Sequence, residues 1–165
     1  MKAVLISIQP KWVAFIRTFL GYDNRRPLYK KRLELRKSAP KTTPFKAYIY
    51  ETQGRTETPW IDEDGHEIFK GRGQVIGEFI CDYVVRHCEM SNADLAEEMS
   101  CVPIEDILKY SNGKEVFGWH ISDLVIYDKP KELSEFNHCG VNYHFNPPLT
   151  RPPQSWCYVE ELKGK

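Results

Sequence analysis

The sequence predicts an α+β fold in which a barrel-like sheet of short strands is flanked by short helices. Segments with alternating apolar and polar residues recur along the chain, and helical spacing of apolar residues appears between some of them. The regular strand–helix–strand repetition of a parallel α/β protein is missing. With 165 residues, 41% of them apolar, the chain is long and apolar enough for one domain with a substantial core.

The N-terminal part of the chain predicts a strand followed by a helix. Residues Ala3–Ile8 form the expected strand, and Pro10 is well placed to begin the helix because its missing N–H costs no hydrogen bond there. Gly21 is expected to end this helix, and a polar, basic loop is expected over Gly21–Leu28. Five apolar residues at helical spacing predict the buried helix face. They are Trp12, Phe15, Ile16, Phe19 and Leu20.

The middle of the chain predicts three further strands and one excursion from the main sheet. The strands are Lys31–Lys37, Phe45–Glu51 and the long Val75–Val85. The polar segment Gln53–Gln74 separates the last two, and its Asp64-Gly65 pair is typical of a hairpin turn.

The C-terminal half predicts short helices, two paired strands and a final strand. These elements are a helix from Ser91, a helix from Pro103 to about Asn112-Gly113, strands Val116–Ile121 and Leu124–Tyr127, a helical turn within Lys131–Phe136, and a strand Ser155–Val159.

A basic strand with one carboxylate follows the predicted loop. In the expected Lys31–Lys37 strand, two leucines point to one face, while Arg32, Glu34 and Arg36 point to the other. Such a ladder of cation, anion and cation is either a solvated sheet face or the floor of a pocket for a polar, planar ligand. The residues alone leave both interpretations open.

The zero net charge of the chain conceals a strong asymmetry. Residues 1–50 contain 12 Lys and Arg against 2 acidic residues, a net charge of +10, whereas residues 51–165 contain 11 basic and 21 acidic residues, a net charge of −10. This predicts a face that attracts anions, although neutralisation between the two halves explains the pattern equally well. The neutral total argues against indiscriminate duplex binding and is compatible with a short single strand or a single nucleotide.

Several other kinds of chemistry are not indicated. The sequence has no glycine-rich phosphate loop, dinucleotide fingerprint or G-x-S-x-G motif, so no cofactor and no serine triad are expected. The pairs His87-Cys88 and His138-Cys139 lack the ligand spacing of structural zinc, and no metal is expected.

Five scattered cysteines indicate reduced thiols and a cytoplasmic protein. Apolar runs are too short for a membrane span, no leader-like segment precedes the first strand, and no membrane partner is expected.

The order strand, helix and K-x-x-E-x-R strand resembles the opening of ASCH domains, a branch of the PUA-like superfamily whose hallmark is G-x-K-x-x-E-x-R. Lys31, Glu34 and Arg36 fall in register with this hallmark, whereas Tyr29 occupies the glycine position. The segment Gly21–Lys30 is longer than the usual turn before the motif. Further segments resemble the central strand, the later strand pair and the ending of a bacterial and phage subgroup. They are Val75–Phe79, Gly118–Leu124 with Tyr127–Pro130, and Arg151–Val159.

The resemblance spans nearly the whole chain. It implies a single PUA-like/ASCH domain over residues 1–165, a β-barrel of mixed strands with flanking short helices, and a polar, hairpin-like excursion at about 52–74. It also implies a cleft beside the K-x-x-E-x-R strand that takes RNA, nucleotides or modified bases. Fold-level kinship does not fix an activity.

One group of small ASCH proteins implies an enzymatic alternative. These proteins resemble amidohydrolases that deacetylate 4-acetylcytidine, and they carry K-x-x-T-x-R and a later catalytic glutamate. Lys31 matches their lysine, but Glu34 replaces their threonine and its hydroxyl. The later glutamate has three candidate positions, which are Glu97, Glu98 and Glu105.

The motif residues can act in more than one way. Desolvation and neighbouring cations favour a neutral Lys31 that acts as base or nucleophile, whereas Glu34 opposes its deprotonation. Glu34 is suited to accept a hydrogen bond from the exocyclic amine of a base, or to hold Arg36 in place. A purely structural Glu34–Arg36 pair remains the alternative.

Aromatic and basic side chains elsewhere complete the predicted site. Stacking on a base is predicted for one or more of four aromatic residues, and core packing is the alternative for each. These residues are Tyr48, Trp60, Trp119 and Trp156. His120 is included because it adjoins Trp119. Phosphate contacts are predicted for basic residues that are otherwise solvated, namely Arg25, Arg26, Lys37 and Lys41.

Three functions are therefore open at the level of sequence. The first is binding of RNA or a modified nucleotide in a cleft, the second is amidohydrolysis of an acylated cytidine with Lys31 and Glu34 as catalytic residues, and the third is a protein-interaction module that leaves the cleft idle. The predicted ligand-binding residues are Lys31, Glu34, Arg36, Lys37, Tyr48, Trp119 and His120.

Overall fold

A computed structural model describes residues 2–61, 64–86, 93–140 and 146–163. Strands and short helices alternate along these residues. In chain order they are β1 Lys2–Ile8, α1 Pro10–Arg17, β2 Phe19–Asp23, β3 Arg26–Tyr29, β4 Leu33–Arg36, β5 Phe45–Glu51, β6 Arg55–Ile61, β7 Glu67–Lys70, β8 Gln74–Arg86, α2 Ala93–Ser100, α3 Ile104–Ser111, β9 Phe117–Lys131, a 3-10 helix Leu133–Glu135, and β10 Trp156–Glu160.

A curled, mixed sheet of six strands organises the described part of the chain, in the order β10-β1-β5-β8-β9-β4. β1 and β5 are parallel, and the other neighbours are antiparallel. β2 with β3, and β6 with β7, form separate two-stranded sheets. This architecture confirms the predicted α+β fold of mixed strands with short helices.

The alternation of side chains along the strands creates two cores, one on each face of the sheet. On β1, Val4 and Ile6 belong to the core that packs against α1, which also contains Trp119 from β9. Leu5, between them in sequence, belongs to the core on the opposite face together with Tyr48. A strand that is buried on both faces reads as a continuous apolar run, which is why the β1 strand was recognisable from sequence.

β9 is one long strand, whereas the sequence predicted two strands joined by a turn at Ser122-Asp123. Asp123 has a φ of 48°, and the pairing of β8 with β9 shifts its register between Glu78 and Ile80. The strand therefore continues through an irregularity that bends it instead of ending. The turn-like residues were a correct signal for the bend and a wrong signal for a strand end.

Side chains join the two edges of the curled sheet, which are β4 and β10. From β4, Arg36 donates through Nη2 to the backbone oxygen of Ser7 at 2.7 Å and through Nη1 to Oγ of Ser155 at 3.3 Å. From β10, Trp156 Nε1 donates to Oγ of Ser38 at 3.0 Å. Because β1 and β10 pair with each other, these bonds close the barrel-like curl across its open side.

The predicted helix is shorter than expected, and the predicted loop after it is a hairpin. The helix ends at Arg17 because Thr18 has an extended backbone, and Phe19 and Leu20 begin β2 instead of continuing the helix. β2 pairs with β3 through a turn in which Asn24 and Arg25 have φ of 50° and 68°. Two positive φ values are typical of a tight hairpin turn. The sequence analysis missed the turn because arginine rarely adopts this conformation.

Other predictions differ in their outcome. The helix from Pro103 is present as α3, and Asn112, in the left-handed conformation, ends it. The helical turn within Lys131–Phe136 is the short 3-10 helix. The predicted helix start at Ser91 and the pair His87-Cys88 lie outside the described residues. Among the helices that are described, none is long and apolar enough to cross a membrane.

Candidate functional site

A cleft with a volume of about 620 Å³ lies between the start of α1, β4, α3 and the segment that precedes β10. Its walls combine charged, polar, aromatic and proline side chains. They are Ser7, Gln9, Trp12, Lys31, Glu34, Leu35, Arg36, Thr52, Val102, Asp106, Ile107, Tyr110, Pro152, Pro153 and Gln154. The volume falls within the usual range of small-molecule sites, about 300–1,000 Å³. The structure thus brings Lys31, Glu34 and Arg36 together at one cavity.

Lys31 is held at the back of this cleft. Its backbone N–H donates to Phe15 of α1, and the residue is only 1% exposed. Nζ donates to the backbone oxygen of Ser100 at 2.5 Å, lies 3.8 Å from Oε2 of Glu34, and stands 4.9 Å from the ring centroid of Trp12.

The environment of Lys31 lowers its pKa below the ordinary 10.5. Burial is the largest cause because it penalises the ammonium form. Glu34 and Cys101 oppose the shift, and the charge of Arg36 adds to it. The opposing effects of burial and of Glu34 agree with the expectation from the sequence, whereas the cation that adds to the shift is Arg36 and not a sequence neighbour of Lys31.

Glu34 is buried and only partly paired. One oxygen, Oε1, lies 3.4 Å from Nη2 of Arg36. The other oxygen, Oε2, is buried and has no hydrogen-bond partner among the described residues. Its distance of 3.8 Å from Lys31 Nζ is an ion-pair distance and is too long for a hydrogen bond. A buried acceptor without a partner is costly in free energy, so this oxygen is an unusual feature of the site.

Aromatic rings flank the charged groups, and a lysine accompanies each ring. Trp12 comes from α1, and Lys11 Nζ lies 4.8 Å from its ring centroid. Tyr110 comes from α3 and is 38% exposed, and Lys37 Nζ lies 5.0 Å from its ring centroid. Lys37, which was a predicted ligand-binding residue, is therefore exposed beside a wall of the cleft and does not itself line it.

Arg32 does not lie beside Glu34 and Arg36 in the cleft, as the predicted cation–anion–cation ladder required. Its Nη2 lies 3.4 Å from Oε1 of Glu98 on α2, outside the cleft. The regular pairing of β4 with β9 begins only at Leu33. Arg32 precedes it, so the alternation of side chains between the two faces of a strand does not predict where the Arg32 side chain lies. Lys31 takes the place in the cleft that the strand pattern gave to Arg32.

Three predicted ligand-binding residues lie away from the cleft. Tyr48 is in the core on the far face, where its hydroxyl accepts a hydrogen bond from the Leu162 N–H at 2.9 Å. Trp119 is 0% exposed, and its Nε1 donates to the backbone oxygen of Ser38 at 3.2 Å. His120 pairs with Asp82 at 2.6 Å through Nδ1. The structure does not bring these three side chains to the cavity, because their strand positions face a core or another part of the surface.

The glutamates considered for the enzymatic alternative have other contacts. Glu97 Oε1 accepts a hydrogen bond from the Ile104 N–H at 3.0 Å, where α3 begins, and Glu98 pairs with Arg32. Glu105 is exposed on α3 and does not line the cleft. The acidic residue that α3 brings to the cleft is Asp106.

Sequence reasoning missed the contribution of α3. Asp106 and Tyr110 are four residues apart and so share one face of the helix, and both line the cleft. The spacing was visible in the sequence, but only the tertiary fold places this face opposite β4. Trp12 had been assigned to the core, against which it also packs.

Two solved structures share this architecture. One is a tyrosine-to-phenylalanine variant of ZmASCH from Zymomonas mobilis, with a TM-score of 0.56 over 98% of this chain and 92% of that one. The other is a serine-to-alanine variant of the same protein, with a TM-score of 0.55 over 96% of this chain and 89% of that one. The chain has an ASCH-like fold. The resemblance seen in the sequence is confirmed at the level of fold, over nearly the whole length of both proteins.

The ASCH-like fold does not by itself assign a ligand or a reaction. Sequence identity to both ZmASCH structures is 16%. No protein-family model matches the chain, and no curated protein matches it. Within the described residues, no group of three or more His, Cys, Asp or Glu side chains is placed to hold a metal ion.

Proposed function

We propose that this chain binds a nucleobase, carried by RNA or by a free or modified nucleotide, in the cleft formed around Lys31, Glu34 and Arg36. The observation that carries the proposal is the buried Oε2 of Glu34, a residue that lines the cleft, because this oxygen has no hydrogen-bond partner among the described residues. Its chemistry favours a ligand with an N–H donor on a planar edge.

The exocyclic amine of a base fits this requirement. Cytosine, adenine and guanine each carry such an amine, whereas uracil presents a carbonyl oxygen at the corresponding position of cytosine. Arg36 holds the other oxygen of Glu34 at 3.4 Å and thereby fixes the orientation of the carboxylate. A hydrogen bond to a fixed, desolvated carboxylate is among the stronger ones in proteins, at about 1.5–3 kcal/mol.

The flanking groups supply the remaining contacts of a nucleotide. Trp12 and Tyr110 offer ring faces for stacking, which is worth about 1–3 kcal/mol per base. Lys11 and Lys37 stand beside these two rings, where a phosphate attached to the bound base would meet a positive charge. Together these groups form a polar site of nucleotide size that is flanked by two lysines.

Equilibrium titration with the four ribonucleoside monophosphates tests the proposal. We expect CMP, AMP or GMP to bind more tightly than UMP, by about tenfold for a hydrogen bond to a charged group. The proposal is contradicted if UMP binds as tightly as the best of the other three.

We further propose, as a second candidate, amidohydrolysis of an acylated cytidine in the same cleft. The observation that favours it is the lowered pKa of Lys31, a residue that lines the cleft, because burial makes its neutral, proton-accepting form more accessible. Mass spectrometry of 4-acetylcytidine incubated with the wild-type protein and with Lys31→Ala tests this candidate. Wild-type deacetylation that is lost in the variant supports it, and the absence of turnover by the wild type removes it.

A further inference from the structure

The β2–β3 hairpin presents an aromatic surface that the cleft does not use. Tyr22 is 72% exposed and Phe19 is 47% exposed. The ring centroid of Phe19 lies 5.2 Å from that of Tyr22 and 5.9 Å from that of Tyr29, so the three rings form one cluster along the hairpin. Grouped apolar side chains that face solvent indicate an interaction surface.

The same hairpin carries positive charge. Arg25 and Arg26 form part of its turn and are exposed, and neither is in an ion pair with another described residue. Lys30 follows the hairpin directly and is also exposed. Asp23 is the one acidic residue of the segment 19–30, which leaves a net charge of +2. The hairpin therefore combines cations with rings, and its charge is complementary to phosphate.

A second cavity, of about 550 Å³, lies at the base of the hairpin. Leu20 from the hairpin, Phe15 from α1, and Lys30 line it. Arg32 and Glu98 also line it and are paired with each other at 3.4 Å. Glu97 lines it too, and its Oε1 accepts a hydrogen bond from the Ile104 N–H, so Lys30 is the lining cation that has no ion pair with a described residue.

The two cavities are neighbours across a pair of rings. The centroids of Trp12, in the cleft, and Phe15, in the second cavity, are 5.8 Å apart. Lys31 Nζ lies 4.9 Å from the Trp12 centroid, and Lys30 Nζ lies 4.6 Å from the Phe15 centroid. Two consecutive lysines therefore lie at the two cavities, and each of them lies beside an aromatic ring.

We propose that the base in the cleft belongs to a single strand of nucleic acid, and that the adjoining nucleotides run through the second cavity and along the β2–β3 hairpin. This inference rests on the function proposed above and narrows its ligand from a free nucleotide to a strand. Rings alternating with cations are what a single strand requires, because bases stack on the rings and phosphates meet the cations.

Two ligands and matched variants test the inference. The ligands are CMP, whose binding is measured by calorimetry, and a labelled single-stranded 12-nucleotide RNA of mixed sequence, whose binding is measured by fluorescence anisotropy at several salt concentrations.

The hairpin variants are Tyr22→Ala and the double variant Arg25→Gln/Arg26→Gln. Val125→Ala controls for an exposed apolar side chain, since Val125 is 50% exposed on β9, and Lys129→Gln controls for an exposed cation on the same strand. Glu34→Gln reports on the cleft.

We expect the hairpin variants to weaken binding of the 12-mer and to leave binding of CMP unchanged. Tyr22→Ala should cost about fivefold or more if it removes one stacked base. The double arginine variant should lower the slope of log K against log salt by about 1.4, which corresponds to two phosphate contacts with a single strand. Both controls should bind the 12-mer like the wild type.

The outcomes separate this inference from the function on which it rests. Wild-type binding of the 12-mer by both hairpin variants, while Glu34→Gln weakens both ligands, would overturn the inference and leave the cleft function standing. Equal losses for CMP and for the 12-mer in the hairpin variants would also overturn it, because the hairpin would then support only the cleft. Glu34→Gln without effect on either ligand would instead reject the cleft function. The same 12-mer made as DNA distinguishes RNA from DNA as the natural strand.

Discussion

At the scale of single residues, the site depends on a buried lysine whose neutral form is favoured by its surroundings. Lys31 is 1% exposed, and its burial lowers its pKa below 10.5. In the unfolded chain the same lysine keeps its ordinary pKa. Between the two pKa values the unfolded chain binds a proton that the folded chain does not, so the contribution of Lys31 to stability rises with pH in this window.

This linkage predicts how Lys31→Met changes stability. Relative to the variant, the wild-type protein should be least stable near neutral pH and should gain stability as the pH approaches 10.5. Urea unfolding of both proteins between about pH 7 and pH 10.5 measures the difference, in which groups common to both cancel. A difference that stays constant or falls with pH would contradict a lowered pKa of Lys31.

The pair of Glu34 and Arg36 gives a second expectation at this scale. Their side chains are 7% and 12% exposed, so Arg36→Met leaves a buried carboxylate with one partner fewer and should cost about 3–5 kcal/mol of unfolding free energy. The double variant Glu34→Gln/Arg36→Met should recover part of this loss, because the uncompensated charge is removed.

The exposed pair of Arg32 and Glu98 serves as the control for Arg36→Met. Their side chains are 25% and 71% exposed, so Arg32→Met should cost about 1 kcal/mol or less. Chemical denaturation measures the wild type, Glu34→Gln, Arg36→Met, the double variant and Arg32→Met. If the costs of Glu34→Gln and Arg36→Met simply add in the double variant, the two residues do not act as a pair.

At the scale of elements, β8 and β9 approach each other closely at one glycine. A Cβ atom added at Gly77 of β8 would lie 2.4 Å from the backbone oxygen of Val125 on β9, which is closer than such atoms pack. The two strands can approach this closely because position 77 has no side chain. On its other side β9 pairs with β4, the strand that carries Glu34 and Arg36.

Gly77→Ala should therefore destabilise the protein by about 1–3 kcal/mol, the usual cost of forcing extra volume into a packed site. Gly54→Ala is a matched control, because its added Cβ would meet its nearest atom at 3.6 Å, an ordinary contact distance. Thermal or urea unfolding compares the two variants. Equal stability of both would show that the strands separate without cost at this point.

The elements also show what a sequence can and cannot predict. β1, β5, β8 and the start of α1 were predictable because burial on one or both faces leaves a regular apolar pattern. The β2–β3 hairpin was not, because Phe19 and Leu20 match the helical spacing of α1 although both are exposed, and the turn lacks a glycine. The spacing of apolar residues in a sequence does not indicate whether those residues are buried.

For the site, the sequence predicted the part that is local. Lys31, Glu34 and Arg36 meet in the cleft because they lie on or directly before one short strand. Trp12 and Tyr110 come from two different helices, and only the tertiary fold brings them to the same cavity. The predictions for Tyr48, Trp119 and His120 share one difficulty, since alternation along a strand does not say which face borders a cavity.

At the scale of the whole molecule, the uneven charge of the chain is compatible with a neutral total. Lys11 and Lys37 of the N-terminal half lie beside the cleft, Arg36 lines it, and further cations lie on the hairpin. A cavity of this kind attracts one or a few phosphates without the large salt dependence of duplex binding. The central claim of the proposal is that Glu34 in this cleft reads the amine edge of a base.

The most direct test of that claim is the ratio of CMP to UMP affinity in the wild-type protein, in Glu34→Gln and in Glu78→Gln, measured by calorimetry. Glu78 is a suitable control because its carboxylate pairs with Lys46 at 3.2 Å, away from the cleft. We expect the wild type and Glu78→Gln to prefer CMP by about tenfold. We expect Glu34→Gln to lose most of this preference, because an amide can donate to the uracil carbonyl as well as accept from the cytosine amine. A preference for CMP that persists unchanged in Glu34→Gln would contradict the account, since the base would then be read by another group.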